Sequence, residues 1–137
     1  MGCDIHAYIE VKINNKWCFY NRLDIQRNYE IFGYLAGVRL PDLQNFNVKG
    51  LPEDMDFITQ KENEHWNRDG HTHSYLGYDD LVEFQTYHDD YYGEDLFKNK
   101  KYAQLGYLYG NTYDFKKFPE DYPEWVEDVR MIFWFDN

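Results

Sequence analysis

The stretch of sequence that decides the fold is Asp4–Ile13, DIHAYIEVKI. Its residues alternate between an apolar set and a largely polar set: Ile5, Ala7, Ile9, Val11 and Ile13 against Asp4, His6, Tyr8, Glu10 and Lys12. Successive side chains of a β-strand point to opposite faces, so this alternation predicts a strand with its apolar face on the core.

Two further segments predict the neighbours of this strand. Asn14 and Asn15 tolerate the left-handed backbone of a tight turn, and residues 16–20 (KWCFY) favour β structure, which together predict a hairpin. Residues 129–135 (VRMIFWF) are apolar on both faces, as expected of a central strand that is covered on two sides. We therefore expect the first and last strands to be neighbours.

The remaining periodicity predicts helices. Residues 28–38 carry apolar side chains at helical spacing, with Asn28 as an N-cap and Gly37 near the end. A second helix is expected from Asp79 or Asp80 to His88, and a weaker pattern lies within residues 53–65. Residues 40–52 are expected to form a loop because they contain Pro41, Gly50 and Pro52, and residues 89–121 show no assignable pattern.

These elements predict one α+β domain over residues 1–137. A small, mainly antiparallel sheet has the N- and C-terminal strands at its centre, and helices pack on it. A chain of 137 residues is within the size range of one domain, and aromatic residues make up 20% of it, which excludes a disordered chain of low hydrophobicity. No repeat or linker indicates a second domain.

Charge and cysteine content limit the partners and the cellular compartment that the sequence predicts. The net charge of −11 argues against direct binding to nucleic acid or to an anionic membrane, and no apolar run is long enough to span a bilayer. Cys3 and Cys18 are expected to be reduced thiols on neighbouring strands, and no signal-peptide pattern precedes them. These features predict a protein of the cytoplasm. The sequence does not indicate an oligomeric state.

Asp4, His6, His71 and His73 are the candidate metal ligands. Asp4 and His6 lie on one face of the first strand, with β-carbons roughly 6–7 Å apart. His71 and His73 repeat this spacing and lie on one side if their segment is extended, and the neighbouring Ser74 is a candidate ligand-binding residue. Such nitrogen and carboxylate ligands suit a divalent cation such as zinc or manganese. Equally, His6 can simply satisfy Asp4 or a backbone group.

Two residues outside these pairs, Asp136 and Arg39, complete the list of candidates, and Cys3 is not among them. Asp136 follows an apolar strand at the point where a sheet can deliver side chains to a pocket. Arg39 follows an apolar helix and can clamp a phosphate or carboxylate, or pair with one of the 25 acidic side chains. Cys3 is expected to be a core thiol, since strand alternation places it on the opposite face from His6.

Several of these segments resemble a family of small phage and prophage proteins that open with MGCDIH. The similar segments are MGCDIH (1–6), YEIFGYLAGVR (29–39), GLPEDMD (50–56), HTHSYL (71–76) and VRMIFWFDN (129–137). The resemblance implies a phage or mobile-element origin. It also implies that six residues recur within the matching motifs and converge on one site: Asp4, His6, Arg39, His71, His73 and Asp136. It carries over no catalytic role.

Three functions remain open on the sequence. The first is a pocket that binds a small anionic, nucleotide-like molecule, for which sequestering an immune signal in the host cytosol is a natural use. The second is a hydrolase, namely a phosphoesterase, in which a divalent metal activates water. The third is an acidic protein that binds a host protein or mimics DNA. The abundance of aromatic residues favours the first.

Overall fold

The computed structural model describes residues 2–66, 68–93, 120 and 122–137. Four strands, β1 (Asp4–Ile13), β2 (Lys16–Leu23), β3 (Gly70–Leu76) and β4 (Asp128–Asp136), form one antiparallel sheet in the order β2-β1-β4-β3. Three helices lie within these described ranges: α1 (Tyr29–Ala36), α2 (Phe57–His65) and α3 (Tyr78–Tyr92). The predicted α+β fold with central N- and C-terminal strands is confirmed. No helix among the described residues is long and apolar enough to cross a membrane.

Pairing of β1 with β4 is continuous. It runs from Asp4 opposite Asp136 to Lys12 opposite Asp128 without a register shift. The predicted hairpin is confirmed, and Asn14 and Asn15 adopt positive φ angles of 49° and 63° in its turn. Because β4 runs antiparallel to β1, the end of the chain lies beside its beginning.

One face of the sheet carries the main core. The odd-numbered residues of β4, and those of β1 from Ile5 to Val11, are buried there, and Phe32 of α1 meets Phe135 edge-on with ring centroids 5.1 Å apart. α1 is as predicted: the Asn28 side chain accepts hydrogen bonds from the backbone N–H groups of Glu30 and Ile31, and Gly37 ends the helix at φ 75°.

The opposite face is also covered, although its β1 residues are largely polar. Tyr8, Ile132 and Trp134 are buried on this face, and Leu51, Met55 and Trp66 pack against them. These last three residues belong to the segment that contains α2. The segment therefore forms a second, smaller core on this face of the sheet.

A buried ion pair anchors this segment to the sheet. Arg130 donates to Glu10 Oε1 at 2.7 and 3.1 Å, and Glu10 itself is fully buried. The second oxygen of Glu10 accepts from Thr59 Oγ1 at 2.7 Å and from the Asp56 backbone N–H at 2.9 Å. Arg130 also donates to Asp54. Glu10 of β1 is thereby bonded to both β4 and the start of α2.

Two helix predictions differ from the structure in extent. α3 begins one residue before Asp79 and continues to Tyr92, four residues beyond the predicted end at His88. α2 occupies only residues 57–65 of the weakly patterned stretch, with Asp56 as its N-cap. Within the predicted loop 40–52, Pro41–Leu43 form a 3₁₀ turn. Beyond α3, most of the unassigned stretch 89–121 lies outside the described residues.

We predict that Arg130→Met lowers the free energy of unfolding by about 3–5 kcal/mol, because it leaves the Glu10 carboxylate buried without its partner. The double variant Glu10→Gln/Arg130→Met should recover part of that loss, since no uncompensated charge remains and the amide oxygen can still accept from Thr59 and from the Asp56 N–H. Urea unfolding of the parent, both single variants and the double variant measures the coupling. A loss below about 1 kcal/mol for Arg130→Met would show that the pair does not hold the segment in place.

Candidate functional site

The candidate site lies at the end of the sheet where β1 begins and β4 ends. Asp4, Asp136 and Gly70 are aligned across the three strands β1, β4 and β3. In the next row inward, Ile5, Phe135 and His71 are aligned, and His6 lies opposite Trp134 one row further. Residues that are far apart in sequence are therefore brought together at this end of the strands, which we call the edge of the sheet.

Among the residues of these rows, His6 and Asp136 form the shortest polar contact between side chains. His6 Nε2 lies 2.5 Å from Asp136 Oδ2, and the two side chains are only 12% and 14% exposed. The Trp66 ring stacks on the His6 ring with centroids 4.1 Å apart. A carboxylate on one ring nitrogen fixes the orientation of an imidazole, which prepares the other nitrogen to bind a ligand or transfer a proton.

Asp4 is held by an arginine that the sequence analysis did not select. Arg27 donates two hydrogen bonds to the Asp4 carboxylate, at 2.9 and 2.8 Å, and each side chain of the pair is 50% exposed. These bonds, more than any other effect, lower the pKa of the Asp4 carboxyl group. A β-carbon at Gly2 would overlap the Arg27 guanidinium, so the absence of a side chain at Gly2 leaves room for this pair. No periodic pattern in the sequence marks Arg27.

Arg39 lies on the α1 side of the same edge. Its backbone adopts a positive φ of 65°, uncommon for arginine, two residues after the left-handed cap Gly37 of α1. The guanidinium lies 5.1 Å from the centroid of the Tyr29 ring, and the Tyr29 hydroxyl accepts a hydrogen bond from the Cys3 backbone N–H at 3.3 Å. Arg39 is thus tied through Tyr29 to the start of β1.

Cys3 is a core thiol, as predicted. It is fully buried and belongs to the main hydrophobic cluster. Burial raises the pKa of the Cys3 thiol, Arg39 opposes this rise, and Asp136 adds to it. A neutral buried thiol is a poor nucleophile.

The two histidines of β3 do not share one side of their strand. A bulge lies between His71 and Ser74, where Thr72 adopts a φ of 55°. His71 pairs with Phe135, while the His73 ring lies beside Trp134 at 5.9 Å, on the face of His6. The prediction that both histidines lie on one side assumed a regular extended strand. The bulge adds one residue between the paired positions, so the two side chains no longer point the same way.

Because they lie on different faces of the sheet, His71 and His73 have different surroundings. His71 Nε2 lies 3.3 Å from the Asn137 side-chain oxygen, and His71 Nδ1 lies 2.8 Å from the Thr72 hydroxyl. Burial, with a smaller contribution from His71, lowers the pKa of His73 below its ordinary value. His73 is therefore neutral at pH 7.

Ser74 has a structural role. Its side chain is buried, and Ser74 Oγ accepts a hydrogen bond from the Lys49 backbone N–H at 3.0 Å. The neighbouring His73 carbonyl accepts from the Gly50 N–H at 3.0 Å. These bonds attach the loop before α2 to β3. The Ser74 hydroxyl, which was predicted to bind a ligand, accepts a hydrogen bond from the backbone of this loop.

The four predicted metal ligands do not form a coordination sphere. The oxygens of Asp4 bond to Arg27, His6 is paired with Asp136, and His71 and His73 lie on different faces of the sheet. In the parts of the chain that the structure describes, no group of three or more His, Cys, Asp or Glu side chains is arranged to hold a metal ion.

No family model, curated protein or solved structure matches this chain. The geometry of the sheet edge and the chemistry of its side chains are therefore the basis for any functional conclusion.

We predict that Arg27→Ala raises the pKa of the Asp4 carboxyl toward its ordinary value. The pair stabilises the fold above the unfolded-state pKa of the carboxyl, and this contribution is lost as the pH falls through the lower folded-state pKa. NMR titration of the Asp4 carboxyl carbon measures the change. Lys61→Ala is the matched control, because Lys61 is exposed on α2 and pairs with Glu64. An unchanged Asp4 titration in Arg27→Ala would contradict the assigned pair.

Proposed function

We propose that this end of the sheet binds a small anionic, nucleotide-like molecule. The supporting observation is that two arginines and three imidazole side chains lie with Asp4 and Asp136 at one edge of an acidic chain. The chain carries a net charge of −11 and five histidines, of which three, His6, His71 and His73, belong to this edge together with Arg27 and Arg39.

The two arginines suit an anionic group. Arg27 is half exposed and presents its guanidinium at the surface, and Arg39 is exposed beside Tyr29. A guanidinium binds phosphate or carboxylate through paired hydrogen bonds that are about twice as strong as neutral ones. The Asp4 partner keeps Arg27 in place before the ligand arrives, which lowers the entropy lost on binding.

The aromatic side chains suit a flat group. Trp66 is half-buried and stacks on His6, so an indole ring lies directly beside the His6–Asp136 pair. Indole rings bind nucleobases by stacking, typically for about 1–3 kcal/mol per base. An anionic group at the arginines and a planar group near Trp66 together describe a nucleotide.

Such a site would bind and sequester the ligand. Cys3 is buried with a raised pKa, so the described thiol at this site is a poor nucleophile. In a phage protein, removal of a host immune nucleotide from the cytosol would need only such binding.

The test is a binding screen of the purified chain against ATP, NAD, ADP-ribose and cyclic dinucleotides. Thermal shift identifies the binders, and calorimetry measures Kd. We predict that at least one of these classes binds, and that Arg39→Ala weakens its affinity by about tenfold or more, since a charge-assisted hydrogen bond contributes about 1.5–3 kcal/mol.

Lys61→Ala serves as the charge-matched control and should bind like the parent protein. Arg27→Ala should weaken binding in the same way as Arg39→Ala, because both guanidinium groups meet the anion in this proposal. Two results contradict it: absence of binding throughout the panel, or binding that neither arginine substitution weakens.

A further inference from the structure

Helix α2 turns a polar residue toward the sheet and its apolar residues toward the solvent. Thr59 is the buried residue of this helix, and Thr59 Oγ1 donates to the buried Glu10 carboxylate at 2.7 Å. Successive residues of a helix are rotated by roughly 100°, so Phe57 points away from the sheet when Thr59 points toward it. Phe57 is 67% exposed and Ile58 is 49% exposed. The bond to Glu10 therefore holds the apolar side of α2 outward.

Two open grooves meet at Phe57. The first has a volume of about 400 Å³ and is lined by residues from Phe57 onward, namely Phe57, Ile58, Lys61, Glu62 and His65. The second has a volume of about 330 Å³ and is lined by the β1–β2 hairpin and the residues up to Phe57, namely Asn15, Lys16, Trp17, Asp54, Met55, Asp56 and Phe57. We call the two grooves together the α2 surface. Aromatic and methionine side chains such as these are enriched in protein interfaces.

The charges of the two grooves complement each other. The first groove carries Lys61 and Glu62, and the second carries Lys16 and Asp54, whose side chain is 66% exposed. Lys61 pairs with Glu64 within α2, but a pair exposed to this extent contributes little free energy, so Lys61 can exchange its partner. The cation of each groove therefore matches a carboxylate of the other.

We propose that the α2 surface is the interface of a symmetric dimer and packs against the α2 surface of a second copy of the chain. A two-fold axis near Phe57 exchanges the two sides of this residue, so the first groove of each copy faces the second groove of the other. Ile58 then packs on Trp17 and Met55 of the second copy, and the complementary charges meet across both grooves. Apolar side chains that are exposed in the single chain are removed from water.

This surface accounts for the choice of a second copy as the partner. A chain with a net charge of −11 repels its own copies in general, so self-association needs a region where cations and carboxylates alternate. The α2 surface has both, in an arrangement that a two-fold axis brings into register. It contains neither Arg27 nor Arg39, so this inference does not rest on the proposed function.

The first experiment is sedimentation equilibrium of the full chain over a wide range of concentrations. We expect the parent protein to approach twice the monomer mass of 16.8 kDa. Phe57→Asp places two carboxylates at the axis and should weaken dimerisation about thirtyfold or more, while an acidic residue in the first turn of α2 suits the helix. Leu43→Asp is the matched control, because Leu43 is 41% exposed on the 3₁₀ turn and lies outside the α2 surface.

A charge exchange tests the orientation of the two copies. Glu62→Lys should weaken dimerisation about fivefold or more, since it places two cations together in both symmetric contacts with Lys16. General repulsion predicts the opposite effect, because this variant is less acidic than the parent. The double variant Lys16→Glu/Glu62→Lys should recover the affinity of the parent. Circular dichroism confirms that each variant is folded.

The outcomes separate this interface from other possibilities. A parent protein that stays monomeric at every concentration overturns the inference and leaves the α2 surface to a different partner. A dimer that Phe57→Asp does not weaken, or that Leu43→Asp weakens equally, uses another interface and also overturns it. Loss in Phe57→Asp together with recovery in the double variant supports it.

Discussion

The structure depends on the antiparallel pairing of the first strand with the last. Asp4 and Asp136 are 132 positions apart in the numbering and face each other in the sheet, and the pairing continues to Lys12 and Asp128. It places His6 beside Asp136, and it aligns Gly70 of β3 with both acidic residues. Because both strands are central, their apolar sides are buried in two cores, and the site is formed at the edge of that rigid sheet.

The second core connects packing to the site. The Glu10–Arg130 pair fixes the start of α2 on the polar face of β1, and Trp66 follows α2 directly, where it stacks on His6. A buried ion pair contributes little net stability compared with apolar packing, but removal of one partner is costly. In this protein the Glu10–Arg130 pair holds the segment that carries Trp66 in one position on the sheet.

The strands, the α1 caps and the central pairing were predictable, because alternation and capping residues act locally and leave a clear pattern in the sequence. The convergence of Asp4, His6, Arg39 and Asp136 was expected partly from a resemblance. The structure pairs His6 with Asp136, aligns Asp4 with Asp136 and places Arg39 against Tyr29. The bulge at Thr72 was not predictable, since threonine seldom adopts a positive φ, and it separates His71 from His73. Arg27 and Trp66 were missed because their roles arise from long-range contacts.

We propose that anions bind at the edge of the sheet where β1 begins and β4 ends. A backbone amide chemical-shift map of the ¹⁵N-labelled protein, recorded with and without inorganic phosphate, is the decisive measurement. We expect the largest shifts on residues 2–6, on Arg27 and Arg39, and on residues 136–137. Largest shifts around Lys49, Lys61 or another basic residue away from this edge, or no saturable shifts at all, would contradict it.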